Sequence, residues 1–409
     1  MRYDVIIIGG GPAGLGVAIK ASERGKRALI IEREKRLGGI LKQCVHDGFG
    51  LLRFGEKLTG PEYAHRDVVT ALGMGAEALT GSFVISITKK EGEYFVATTS
   101  ERGLRSDSAP ALVFATGCRE RTARQVNIHG TRPAGVLTAG SCQHLVNLKG
   151  LLPGKKAVIL GSGDIGLIMA RRLTLEGAEV AGVFEAKGEP GGLQRNIRQC
   201  LDDYGIPLRL KTTVVEVYGD KRVEAVRVAP VDDNMRPVSE GEIIPCDLLV
   251  VSVGLIPENE LQTSLGLTLE NGTRGVAVDQ YMMCVDREGV YVVGNALHVH
   301  DLVDFVTEGA MTAGSDLGSG RERQLIKIDT KNLSYIVPQY FDVSAPAQKS
   351  VFYMRSPRSM RRGVLKVFAD GVEVLKKRLV NVRPPEMIRL ECAVAPVDSL
   401  EITLEEESV

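Results

Sequence analysis

The sequence has no net charge, no cysteine pair at redox spacing and no apolar run of membrane length, and each absence removes a class of function. Lys+Arg and Asp+Glu both number 51 in 409 residues. The field of the whole molecule therefore gives no reason to expect nucleic acid or an anionic membrane as a partner. No stretch approaches the roughly 20 apolar residues that span a bilayer. The N-terminus lacks a charged region followed by a long apolar region and a cleavage site. Val5–Ile8 runs straight into glycines, and a cytoplasmic protein is expected. The seven cysteines, at 44, 118, 142, 200, 246, 284 and 392, are odd in number and scattered, as suits a reducing compartment. None stands at C-x-x-C spacing, so no metal site and no local dithiol is indicated. Most read as small buried hydrophobes.

What remains is an ordinary globular composition, 44% hydrophobic and 25% charged, long enough for about two to three domains. The pattern strand, glycines, helix, strand occurs twice. Val5–Ile8 is followed by glycines, a helical stretch Ala13–Ser22 and a strand Ala28–Ile31. Ala157–Leu160 is followed by glycines, Leu167–Glu176 and Val180–Phe184. Such alternation predicts parallel sheets wound with helices. Residues 82–115 and 208–252 read as strand-rich. Beyond about 330, Tyr335–Val337, Gly363–Phe368, Val372–Val374 and Ile388–Val394 alternate like an antiparallel sheet, with Ala369-Asp370-Gly371 as a hairpin turn. The acidic end, Leu404 to Val409, is expected to fray. The fold class expected is α/β: two Rossmann-like dinucleotide-binding domains, one inserted in the other, plus a small C-terminal β domain. Their expected bounds are 1–125 with 281–330, 126–280, and 331–409.

The first glycine cluster, Gly9-Gly10-Gly11-Pro12-Ala13-Gly14, fits G-x-G-x-x-G between a strand and a helix. Glycines permit the tight turn and the close approach of a pyrophosphate, and the helix N-terminus offers free N–H groups. Glu32, 18 residues after Gly14, ends the next strand and can accept from ribose hydroxyls. The Gly-Pro-Ala-Gly form and the following Gly38-Gly39 favour FAD, since a glycine pair lets the chain pass close to the cofactor. Ala115-Thr116-Gly117 ends one further strand of this domain and Gly294-Asn295 another, where a polar end meets the ribityl chain. Arg33 and Val84 complete the FAD candidates of the first half. Thr307-Glu308-Gly309-Ala310 is expected to begin a helix aimed at the flavin pyrimidine, with Glu308 and Gly309 as contacts. The bland alternative is an ordinary packed helix.

The second cluster is Gly161-Ser162-Gly163-Asp164-Ile165-Gly166, with Glu185 19 residues after Gly166. A carboxylate there accepts from the 2′-hydroxyl of NAD and repels the 2′-phosphate of NADP. NAD(H) is favoured over NADP(H), although Lys187 is close by. Gly254 and Pro257 shape the chain's return.

These segments resemble the pyridine nucleotide–disulfide oxidoreductase superfamily over about residues 1–325, with thioredoxin reductase as the nearest familiar architecture. The segment Gly135-Val136-Leu137-Thr138-Ala139-Gly140-Ser141-Cys142 resembles the redox-pair segment of that enzyme, but Ala139 stands at the first cysteine position. Glutathione reductase-like relatives place their pair where this chain has Cys44 alone. A closer resemblance rests on Gly38-Gly39-Ile40-Leu41-Lys42-Gln43-Cys44-Val45-His46, Leu58-Thr59-Gly60-Pro61-Glu62-Tyr63 and the second cluster through Arg172. It is to FAD-dependent oxidoreductases that accompany a glycerol-3-phosphate dehydrogenase-like flavoprotein and a small cysteine-rich iron–sulfur protein. Opine oxidase and hydrogen cyanide synthase subunits are more distantly similar. The resemblance implies hydride transfer between nicotinamide C4 and flavin N5, with those proteins as partners in an electron-transfer complex.

That chemistry belongs to the cofactors and needs no side-chain acid or base. Gln43, Cys44, His46 and Cys142 are the candidates near the flavin. His46 reads either as a base or as a polar loop histidine. His298 and His300, two apart with no further ligands, suit a loop near the flavin better than a metal site. Alternatives are a stand-alone NAD(P)H oxidase using oxygen, and an amine or hydroxy-acid oxidase acting at the flavin. The C-terminal β region is expected to dock a partner, with Arg355 to Arg362 as a basic patch. Homo-oligomerisation stays open.

Overall fold

A computed structural model of the chain describes residues 1–407. The chain forms two units, Met1–Cys118 with Pro257–Val409, and Arg119–Ile256.

In the first unit, five parallel strands lie in the order Val290–Val292, Ala111–Phe114, Val5–Ile8, Ala28–Ile31, Glu77–Leu79. Four of the five are buried at every residue. That is why they read as unbroken apolar runs: a parallel sheet covered on both faces has no solvent side. Helix Pro12–Glu23 begins at a proline, whose missing N–H costs nothing at that position. Helix Gly60–Gly73 begins at a capping box between Thr59 and Glu62. Helix Val303–Asp316 packs on the first helix through small residues. A Cβ on Gly16 would lie 3.1 Å from the Ala310 Cβ, and one on Gly314 2.6 Å from the Lys20 Cβ. The antiparallel meander Ser82–Lys90, Glu93–Ser100, Gly103–Ala109 completes this part.

The second unit repeats the plan. Its parallel sheet runs Val136–Thr138, Leu248–Val251, Lys156–Leu160, Glu179–Phe184, Leu208–Arg209. A second sheet is built from Thr212–Tyr218, Ala225–Pro230 and Glu242–Pro245, with the short strand His129–Gly130 at its edge.

The crossings between units fall at 118/119 and 256/257, not at 125/126 and 280/281. The second difference has a clear cause. Leu265, Leu267, Val276 and Val278 are buried in the first unit's core with Val5, Ile7 and Tyr291. A strand-poor segment with no glycine cluster carried no sign in the sequence of which core it would join.

The C-terminal region falls within the first unit, yet has its own core of Phe341, Phe352, Leu365, Val367, Leu390, Ile402 and Leu404. Its larger sheet runs Tyr340–Asp342, Leu325–Lys331, Leu400–Glu406, Met360–Ala369, Val372–Val382, and its smaller one Tyr335–Val337, Gln348–Arg355, Ile388–Val394. Asp370 (φ 50°) and Gly371 (φ 77°) form the hairpin turn, both left-handed, as the strand twist requires. The acidic end does not fray through Glu406, because Leu400–Glu406 is paired along its whole length with Gly363–Ala369, and Leu400–Thr403 also with Ile328–Lys331. Ser408 and Val409 lie outside the described residues.

Buried polar groups fasten this region to the rest of the first unit. Arg321 pairs with Asp316 at 2.8 Å and Asp342 at 3.3 Å, and Arg323 pairs with Asp279 at 2.9 Å. Gln280 and the Asp342 backbone exchange two hydrogen bonds. Arg355, expected in a surface basic patch, is instead mostly buried and paired with Asp301 at 2.5 Å, while Arg358 pairs with Glu406. The four arginines do not form one exposed patch.

Asp279 is fully buried, and burial outweighs its Arg323 partner to raise the carboxyl to about 6. Its native-state pKa exceeds the unfolded value of about 3.9, so the native state holds the extra proton between them. The stability this group contributes is complete below the unfolded pKa and is lost as pH rises through the folded value of about 6. Calorimetry of the wild type and Asp279→Asn from about pH 3 to about pH 7, a range that brackets both values, is expected to show the wild type's advantage in Tm shrinking, or its deficit growing, as pH rises. A difference independent of pH would contradict the burial argument.

Candidate functional site

The first cradle is defined by what cannot fit in it. Gly9 has φ 110°, and a Cβ there would lie 2.2 Å from the Ala115 carbonyl oxygen; one on Gly14 would lie 1.9 Å from the Gly9 oxygen. The strand end Ala115-Thr116-Gly117 therefore lies directly on the glycine turn, fixed by Ala115 N–H donating to the Ile8 carbonyl at 2.8 Å. Gly39 (φ 55°) brings its backbone over Gly11, where a Cβ would stand 2.8 Å from the Gly11 Cα. Gly294 closes the other side, with a Cβ reaching 2.8 Å from that of Ala13. Gly9, Gly11, Pro12, Ala13, Gly14, Gly39, Ala115 and Gly294, far apart along the chain, thus converge.

Glu32 is buried and anchored. It accepts from Gly10 N–H at 2.8 Å and Glu34 N–H at 2.8 Å. Two amides hold the carboxylate at the strand end beside the cradle, where a ribose would lie. Helix Pro12–Glu23 has no side-chain cap, so the N–H groups of its first turn stay available for an anion. This donor set and the space kept free of Cβ atoms fit the pyrophosphate and ribose of a dinucleotide.

The second cradle matches the first nearly atom for atom. Gly161 (φ 100°) would put a Cβ 2.0 Å from the Ser252 oxygen, and Gly166 one 2.4 Å from the Gly161 oxygen. Glu185 accepts from Ser162 N–H at 3.0 Å, Ser162 Oγ at 2.7 Å and Lys187 N–H at 3.0 Å. Gly163 caps helix Asp164–Leu175 without a side-chain bond. Asp164 turns aside to accept from Leu193 N–H and Asn196 Nδ2, and Ile165 is half-buried in the same turn. Gly254 has φ 102° with open space beside it.

Other candidates land differently. Helix Val303–Asp316 begins at Val303, not at Thr307, so Glu308 and Gly309 sit in its second turn and offer no free N-terminal amides. The Glu308 carboxylate is held by Tyr353 Oη at 2.6 Å and Arg389 at 2.5 Å. Leu302 at the N-cap has no side-chain bond, so the usual capping signal was missing. Asn295 does not point its amide outward: its Oδ1 accepts from His300 N–H at 3.0 Å, and its Nδ2 lies 3.6 Å from Cys118 Sγ. Thr116 Oγ1 donates to the Glu258 carbonyl, and Gly117 has φ 74°. Val84 is a core residue, whereas Arg33 is exposed. Gln43 is buried, and His46 lies in a loop, 3.0 Å from the Asp47 carbonyl and against Phe49.

Burial pushes the Cys44 and Cys142 thiols each up to about 12. Cys142 lies in the second unit's core with Ala139 and Val146. The two histidines after Asn295 stood out in the sequence, but the company they keep did not. His298 and His300 gather with Tyr335, Tyr353 and Arg355 beside Asn295, and nothing along the chain ties the last three residues to the first two.

Two glycine cradles, each with an anchored acid at the neighbouring strand end, define an oxidoreductase built on two dinucleotides. The comparisons agree. The profile of the pyridine nucleotide-disulphide oxidoreductase family matches residues 3–314, and the chain belongs to that family. It is an FAD-dependent oxidoreductase with a nicotinamide dinucleotide as its redox partner. Hydrogen cyanide synthase subunit HcnB of Pseudomonas protegens is 30% identical over 291 residues, 65% of this chain. The matched part spans only 60% of that relative's length. An opine oxidase subunit from Agrobacterium tumefaciens is 23% identical over 97% of this chain and 78% of its own. Among solved structures, thioredoxin reductase of T. acidophilum shares the fold with a TM-score of 0.63 at 22% identity, over 78% of this chain and 98% of its own. Among the described residues no helix is long and apolar enough to cross a membrane.

Replacing Glu185 removes the carboxylate that would oppose a 2′-phosphate. Glu185→Arg is expected to raise the ratio of kcat/KM for NADPH over NADH by about tenfold or more, worth about 1.4 kcal/mol of discrimination. Steady-state kinetics with both nucleotides measures it, and an unchanged ratio would overturn the role given to Glu185.

Proposed function

We propose that this chain is the electron-transfer subunit of a multi-subunit oxidoreductase, with FAD at the first cradle and NAD(H) at the second. Its proposed partners are a second flavoprotein of glycerol-3-phosphate dehydrogenase type and a small cysteine-rich iron–sulfur protein. Bound FAD supplies hydride acceptance at N5 and onward electron transfer. The chain's own residues bind and orient. Gly9, Gly11, Gly14, Gly39 and the helix start would receive the FAD pyrophosphate, and Glu32 its ribose. Gly161, Gly163, Gly166 and Glu185 would do the same for NAD(H).

The state of the cysteines carries the reading. Among the described residues no two cysteines are joined in a disulfide. Cys44 and Cys142, the two cysteines that the resemblance singles out, have thiols raised by burial to about 12. A thiol at that value stays protonated at neutral pH and is a poor nucleophile. The absence of any C-x-x-C spacing in the sequence supports the reading that electrons leave the flavin for another carrier. Two similar proteins, from hydrogen cyanide synthase and opine oxidase, are subunits of larger enzymes by name, which supports a partner as that carrier.

Anaerobic stopped-flow absorbance of the FAD-loaded chain with NADH tests this. Fast bleaching with slow reoxidation by oxygen and by disulfide substrates is the expected result. Rapid turnover with oxygen alone would make the chain an oxidase instead. No bleaching by NADH or NADPH would remove the nicotinamide from the reading and leave oxidation of an organic substrate at the flavin. The double variant Cys44→Ala, Cys142→Ala is expected to bleach at a rate within about twofold of the wild type; a loss of about a hundredfold, roughly 2.7 kcal/mol in barrier, would restore a thiol to the mechanism.

A further inference from the structure

The segment after Gly294 carries a side-chain cluster that neither cradle uses. His300 is half-buried. Its backbone N–H donates to Asn295 Oδ1 at 3.0 Å, and its ring Nδ1 lies 3.3 Å from the same oxygen. A backbone N–H needs an acceptor, so the Asn295 amide is fixed in one orientation, with Nδ2 turned toward Cys118. Asn295 therefore acts as a clamp on the His300 ring.

Behind that ring stands His298, its centroid 4.0 Å from that of His300. His298 is 1% exposed, and neither ring nitrogen has a hydrogen-bond partner. Leaving a buried polar group unsatisfied costs about 1–3 kcal/mol, so a histidine needs a reason to be there. Tyr353 lies 5.6 Å from the His298 ring and 5.5 Å from the His300 ring, and Tyr335 lies 5.9 Å from His298. The nearby charges are each paired. Arg355 is held by Asp301 and donates to Tyr335 Oη, and Arg389 is held by Glu308. Burial and Arg355 together push His300 down to about 3 and His298 well below its ordinary value, so both rings are neutral at physiological pH. The result is an aromatic, hydrogen-bonding cluster with neutral imidazoles and paired charges, beside the end of strand Val290–Val292, whose next residue but one, Gly294, touches the first cradle at Ala13.

We propose that His300, clamped by Asn295 and backed by His298, is a flavin-contacting residue that receives the isoalloxazine end of FAD. The inference rests on FAD occupying the first cradle, as proposed above. An uncharged heteroaromatic ring with polar edges is what a neutral imidazole pair in an aromatic surround would accept. The C-terminal strands supply Tyr335, Tyr353 and Arg355, so this region acts as a wall of the flavin site.

The test uses the full-length chain with FAD, before any turnover. Visible absorption and fluorescence of bound FAD, its Kd and the Tm of the protein are measured for wild type, His300→Phe, His300→Gln and Asn295→Ala. His300→Phe is expected to shift the flavin bands and weaken FAD about tenfold. His300→Gln, which keeps a hydrogen-bonding edge, is expected to recover part of both, and Asn295→Ala to show a smaller change of the same sign. Flavin bands and Kd unchanged in His300→Phe, with or without a lower Tm, would overturn the proposal and leave His300 a packing residue. A wild-type chain that binds no FAD would instead defeat the cofactor reading on which it rests.

Discussion

Everything else in this protein depends on backbone lying on backbone at two points. At Gly9 the glycine turn touches the carbonyl of Ala115, and at Gly161 it touches that of Ser252, each so closely that a single methyl group has no room. These contacts set how near each strand end can come to the helix that follows it. They leave a shallow space bounded by amides and not by side chains. A pyrophosphate needs such a space, because its oxygens are recognised by N–H groups and a helix N-terminus and not by a particular residue. The parallel sheets, the helices and the anchored acids are arranged around that requirement.

The two acids show how far the repetition goes. Glu32 and Glu185 each accept from the amide of the cradle's second residue and from the amide two residues beyond themselves. Ser162 adds its hydroxyl in the second cradle where Gly10 has no side chain. A carboxylate held by two or three donors is fixed before any ligand arrives, so binding a ribose costs little ordering of the acid. The chain thus carries one recognition device twice, and the difference between FAD and NAD(H) is left to what surrounds it.

Those surroundings are where the sequence was least legible. The cradles could be read because glycine, strand and acid stand within about thirty residues and each has a local physical reason. The hairpin turn at Asp370-Gly371 was legible on the same ground. Helix Val303–Asp316 was placed one turn late because Leu302 offers no cap, and its polar residues Asp304 and Glu308 resemble a loop. Residues 257–280 were given to the wrong unit because only the burial of Leu265, Val276 and Val278 decides the matter, and burial is a long-range property. Cys142 was matched to a redox position by resemblance, yet its helix turns it into the core. The ties between Glu308 and Arg389, or Asp301 and Arg355, join residues 81 and 54 positions apart, which no pattern along the chain announces.

Those same ties change what the C-terminal region is for. A module that only docks a partner would meet the flavin unit through a small, wet interface. Here Arg321, Arg323, Arg355 and Arg389 each leave the C-terminal part or its approach to pair with a carboxylate of the flavin unit, mostly out of water. Breaking one partner of a buried pair costs about 3–5 kcal/mol, so the region cannot swing away without losing several at once. What it leaves toward solvent is different in kind. Strand Val372–Val382 is the edge of its sheet, with Val372, Val374 and Val380 exposed beside Lys376, Lys377 and Arg378. Two copies meeting antiparallel along this edge would set cations opposite cations, which opposes self-pairing. The inner face of the region is therefore committed to the flavin unit, and the cations along its outer edge disfavour edge-to-edge pairing in that register.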